Sequence, residues 1–114
     1  MSAPVAGGAR EGKGGAFEFT VSSPERCAVR GALTFATAKR ARALGLNAQR
    51  AAAKSFVIDC GDILQADSAG LAVLLDWLAE AKRAGKALHF ERLPDGLLRL
   101  ARISSVDAML QQGV

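Results

Sequence analysis

The stretch from Ser55 to Gly85 constrains this chain most, because a change of period occurs inside it. Phe56-Val-Ile58 is a short apolar run closed by Asp59 and Gly61, the pattern of a buried strand over Ser55–Asp59. Beyond Asp67 the apolar residues recur at helical spacing, with Leu71, Leu74, Leu75 and Leu78 on one stripe that must cover a sheet. A buried strand therefore feeds an amphipathic helix that ends at Gly85. Asp67 suits the N-cap, its carboxylate accepting from the free N–H of Ala69 or Gly70, and Ser68 is then the first helical residue. The hydroxyl of Ser68 would lie where unpaired N–H groups and the helix dipole favour negative charge. Val73 and Trp77 fall on a different face of the helix, with Gly70 and Ala84. They either pack on a neighbouring helix or form an apolar patch for a partner beside Ser68.

Upstream, Phe17, Phe19 and Val21 alternate with Glu18 and Thr20, the period of a half-buried strand. Ser22-Ser-Pro24-Glu25 supplies a turn and Cys27–Leu33 a second strand, so an antiparallel hairpin opens the fold. Thr34 is placed to cap a helix starting near Phe35, with Ala38, Ala41 and Leu44 on its apolar side and Gly45 as its end. Leu46–Lys54 is compatible with either a second helical piece or a long loop. Downstream, Ala87–Glu91 reads as the fourth strand and Pro94-Asp95 as the start of a helix buried through Leu97, Leu98, Leu100, Ala101 and Ile103. Ser104-Ser105 interrupts that pattern before a last helical segment, Val106–Leu110. The order β-β-α-β-α-β-α-α predicts an α/β domain over 16–114: a mixed four-stranded sheet with helices chiefly on one face.

Residues 1–15 are rich in glycine and alanine, a composition that predicts a flexible tail. Gly7–Lys13 imitates the beginning of a phosphate-binding loop, but Gly14 stands where Ser or Thr should follow and no strand precedes it. At 114 residues, half of them apolar, the chain makes one small domain with a single core. No apolar run approaches the roughly 20 residues of a membrane span, and a cytoplasmic location is expected. Cys27 and Cys60 are expected as free thiols at opposite ends of the sheet. His89, the single histidine, has no clustered cysteine pair to form a zinc site. Asp59, Asp62 and Asp67 gather near the strand-to-helix junction, where carboxylates more often cap turns than hold magnesium. Pairing Cys60 with His89 as nucleophile and base has no motif behind it, so no catalytic, metal or cofactor site is expected. The net charge of +4 is concentrated in Arg26, Arg30, Lys39, Arg40, Arg42, Arg50 and Lys54. Such a surface could face anionic lipid head groups or nucleic acid, but with no interleaved aromatics and no nucleic-acid motif it is read as a solvated basic face.

Asp59-Cys-Gly-Asp62, Asp67-Ser68-Ala69-Gly70-Leu71, Gly85-Lys-Ala-Leu, Leu93-Pro94 and Leu100–Val106 together resemble the STAS domain family, over about Phe17 to Leu110. That family includes anti-sigma factor antagonists and MlaB-like subunits of lipid-asymmetry transporters, and Leu71–Lys86 with Phe90 and Leu93-Pro94 looks more like the latter. The resemblance implies a non-catalytic cytoplasmic subunit, reaching the inner membrane through its partner, that binds the ATPase of a phospholipid ABC transporter. The other branch implies a serine kinase anti-sigma factor as partner, with Ser68 phosphorylated. Motif positions carried over are Asp67, Ser68 and Gly70; with Ala69, Val73 and Trp77 they make the expected partner-binding set.

Overall fold

The computed structural model describes residues 16–114, so the expectations for 1–15, the Gly7–Lys13 stretch included, lie outside the described residues. The opening hairpin is β1 (Phe17–Ser23) and β2 (Arg26–Leu33), followed by α1 (Ala38–Ala51) and β3 (Ser55–Ala66). Then come α2 (Ser68–Arg83), β4 (Ala87–Glu91), α3 (Asp95–Ile103) and α4 (Asp107–Gln112). The strands lie in sequence order in one sheet. β1 and β2 pair antiparallel, while β2–β3 and β3–β4 are parallel and joined through α1 and α2.

Alternation decides which face is covered. Phe17, Cys27, Val29, Phe56, Ile58, Cys60, Leu88 and Phe90 are buried, while Glu18, Thr20, Arg26, Arg30, His89 and Glu91 between them are exposed. The helices cover the apolar face, and the other faces water as a field of ion pairs: Arg26 with Glu91, Arg92 with Asp59 at 2.8 Å and Arg30 with Glu18 at 3.7 Å. The basic residues of the first half are thus split. Arg26 and Arg30 sit on the open sheet face, and Lys39, Arg42 and Arg50 lie on the outside of α1.

Three local expectations are corrected. First, Gly45 does not end a helix: α1 starts later, at Ala38, and runs through Gly45 to Ala51, so most of Leu46–Lys54 is helical. A Cβ at Gly45 would overlap the indole of Trp77, so the glycine serves helix–helix approach rather than termination. Lys86 completes the true end, its Nζ donating to the carbonyls of Gln49 and Ala52 at the negative pole of α1. Second, Thr34 does not cap α1. The turn at 34–37 is tied by Thr37, whose hydroxyl donates to Ala32 O (2.8 Å) and accepts from Thr34 N (3.0 Å), leaving Phe35 outside the helix. Third, β3 is 12 residues long rather than five, passing through Gly61 and Asp62 to Ala66. Two bulges accommodate this: Ala28 pairs with Asp59 but Arg30 with Asp62, and Gly31 with Ile63 but Ala32 with Gln65, so β3 holds two extra residues, and the first shifts its buried side from Cys60 to Ile63.

Cys27 and Cys60 are free and buried, as expected of thiols that pack in a core. They are not at opposite ends of the sheet, however. Cys27 lies opposite Ile58 on the neighbouring strand, two residues from Cys60 in β3, and both face the core. Burial raises the pKa of Cys27 above its ordinary value and pushes that of Cys60 up to about 12, so both persist as unreactive thiols.

Candidate docking site at the start of the second helix

Asp67 caps α2. One carboxylate oxygen accepts from Gly70 N at 3.1 Å, and the other from Phe35 N, 32 residues earlier, at 3.0 Å. One side chain therefore closes the helix start and fastens the 34–37 turn to it. The bond from Phe35 N is the main reason that the Asp67 carboxyl titrates below its usual range, with burial opposing and Gly70 N adding to it. Gly70 is buried, and a Cβ there would run into the carbonyl of Leu33 at the end of β2. Only glycine lets α2 begin this close to the sheet.

The six expected partner-binding residues separate by exposure. Ser68 is exposed, Asp67 and Ala69 are half-buried, and Gly70, Val73 and Trp77 are buried. Trp77 is 0% exposed. Its ring meets Phe19 edge to face, centroids 5.6 Å apart, and its Nε1 donates to Arg42 O of α1 at 3.3 Å. Its own carbonyl accepts from the buried Gln49 amide at 2.9 Å. Trp77 therefore packs on neighbouring elements, α1 and β1, Val73 is buried in the same core, and neither offers a patch to a partner. Gly70 likewise acts through packing.

Two large apolar residues outside the expected set are exposed instead. Phe35 is 82% exposed and Leu64 87% exposed. The backbone N–H of Phe35 is hydrogen-bonded to the Asp67 cap, and Leu64 lies three residues before that cap in β3. Periodicity could not have marked them, because Phe35 fitted a helical pattern and the alternation of Phe56, Ile58 and Cys60, continued, turns Leu64 inward; the β3 bulge shifts burial to Ile63 and leaves Leu64 outside.

The remaining candidates disperse. Asp59 accepts from both Nε (3.0 Å) and a terminal nitrogen (2.8 Å) of Arg92 and from Gly61 N (2.9 Å), and the Arg92 bond holds it below the usual carboxylate range. Asp62 is exposed, and among the described residues no group of carboxylate, histidine and cysteine side chains is placed to hold a metal ion. Cys60 faces the core while His89 is exposed on the opposite face of the sheet, so they cannot act as nucleophile and base. Among the described residues no helix is long and apolar enough to cross a membrane.

Comparison with known proteins agrees with this arrangement. No curated protein sequence matches the chain. Among solved structures, the chain is similar to the anti-sigma factor antagonist SpoIIAA in its unphosphorylated form, with a TM-score of 0.65 and 17% identity over 82% of this chain and 84% of that one. The Bacillus cell fate determinant SpoIIAA in the phosphorylated form gives a TM-score of 0.62 and 17% identity over 82% and 86%. At that identity the likeness is one of fold. The family model described as "Mlab, STAS domain" matches residues 19–111. The sheet, the capped helix start and this match together place the chain in the STAS domain family.

Proposed function

We propose that the protein is a non-catalytic, cytoplasmic MlaB-like subunit of a phospholipid ABC transport system, which binds and supports the transporter's ATPase through the start of α2. The observation that carries this reading is the contrast along one helix. Ser68 is open to solvent, next to an Asp67 cap that also holds the backbone of the exposed Phe35, whereas Leu71, Val73, Leu74, Trp77 and Leu78 of α2 are buried in the protein's own core. An exposed first helical turn, capped by Asp67 and tied to the exposed Phe35, is suited to gripping another protein. The family model's description supports the transporter branch. Co-purification from the native host is expected to recover an ABC ATPase and its permease; recovery of a serine kinase instead would overturn the reading.

A second reading is supported by the SpoIIAA likeness, in which a partner kinase phosphorylates Ser68. Its hydroxyl is accessible, and a phosphate of nearly two negative charges beside Asp67 would alter the docking surface at once. Intact-mass measurement after incubation with the host's kinases and ATP, with Ser68→Ala as control, separates the two branches.

A further inference from the structure

β3 outlasts its neighbour. Its ladder with β2 continues to Ala66, but its pairing with β4 stops at Asp59, opposite Glu91. β4 ends there for local reasons. Arg92 has φ of 53°, a left-handed conformation fastened by its paired bonds to Asp59, and Pro94 lacks the N–H that a continuing ladder needs. Its guanidinium lies over Gly61, where a Cβ would overlap it, so Arg92 seals one end of the gap. From Asp62 to Ala66, about 16 Å of strand at the usual rise, β3 makes no backbone hydrogen bond on the β4 side among the described residues. Along this edge lies a hollow of about 280 Å³ lined by Ile63, Leu64 and Ala66 of β3 and by Pro94, Leu97 and Leu100. By contrast, the far edge of β4 is partly occupied by the chain's own end, Val114 N donating to Leu88 O at 3.0 Å.

We propose that this gap is a strand-addition site, in which an extended segment of a partner protein continues the line of β4 along Asp62–Ala66 and places alternate apolar side chains in the hollow. Unpaired amides and carbonyls beside an apolar wall call for a peptide backbone; a helix would leave the edge groups unsatisfied, and a lipid chain offers them no partner. The gap runs directly into Asp67 and Ser68. The proposal rests on the reading of that end as a docking surface and deepens it by giving the form of the bound segment.

The test is selection of random twelve-residue peptides displayed on phage against the full chain, followed by binding of the winners to Gly96→Phe. Gly96 borders the hollow and a Cβ on it meets nothing within 4 Å, so a side chain is accommodated there without a backbone clash, and a bulky ring at the rim is chosen to obstruct the gap. The selected peptides are expected to alternate apolar and polar residues without a central proline, to lose at least tenfold in affinity against Gly96→Phe, and to slow amide exchange in 62–66 by at least tenfold. Winners with helical apolar spacing, or equal binding to Gly96→Phe, overturn the proposal, as does protection of the edge amides in the free monomer. A dimer of the free chain that Gly96→Phe dissolves also overturns it, by making a second copy the occupant. Peptides lost with Ser68→Glu but retained by Gly96→Phe would discard strand addition and leave the docking end standing.

Discussion

The start and the middle of α2 carry equally suggestive residues, yet the structure uses them oppositely. At the middle, Trp77 and Val73 stand off the main leucine stripe and look available; they are enclosed because α1 and β1 close over them. At the start, the side chains are small and polar, and the exposed apolar residues come from other elements, the Phe35 turn distant in sequence and the bulged end of β3 just before the cap. An aromatic off the core stripe is thus evidence of a second helix before it is evidence of a partner. A candidate docking end has to be found from what the tertiary structure leaves uncovered.

That contrast yields tests of decreasing effect. Trp77→Ala should remove about 3–5 kcal/mol of stability by emptying the α1–α2 contact, read in denaturant unfolding. A stable variant that had merely lost partner affinity would return Trp77 to the surface. Gly45→Ala should cost roughly 1–3 kcal/mol, since a methyl there must displace the indole, even though alanine is the better helix former. A neutral result would mean that α1 sits farther from α2 than described.

Asp67→Ala should cost about 0.5–2 kcal/mol through the lost cap and release the Phe35 turn, seen as faster amide exchange at Phe35. The pH dependence has a definite sign. The folded-state pKa of Asp67 is depressed, so its contribution is present above the unfolded value near 3.8 and is lost as acid carries the pH down through the folded value. Asp67→Asn should flatten that part of the acid limb of the stability profile. Smallest in structural consequence is alkylation of Cys27 and Cys60, which should proceed only at the rate of unfolding at neutral pH because burial raises both pKa values.

Much of the fold was legible locally. The alternation of Phe17–Val21, the Asp67 cap and Pro94 before α3 each reflect short-range chemistry that the structure retains. Gly85 and Gly45 show where legibility ends. Both follow an amphipathic run, but Gly85 has φ of 74° and closes a helix, whereas Gly45 sits mid-helix under an indole contributed by α2. Sequence offers the same letter for a backbone requirement and for a packing one. The length of β3 was hidden similarly, because Gly61 and Asp62 read as a break; the strand survives there by bulging. Of the candidate site, the Asp67–Ser68 signature was legible, whereas the tie to Phe35 forms only in three dimensions and the exposure of Leu64 depends on the β3 bulges.

The central claim is that the uncovered start of α2, rather than its middle, grips the partner. It is tested most directly by measuring affinity of Ser68→Glu for the co-purifying ATPase alongside its unfolding free energy. The account predicts stability within about 0.5 kcal/mol of the parent, as befits an exposed first-turn position where a carboxylate suits the helix dipole, with binding weakened at least tenfold. Unchanged affinity in a fully folded Ser68→Glu variant would contradict it.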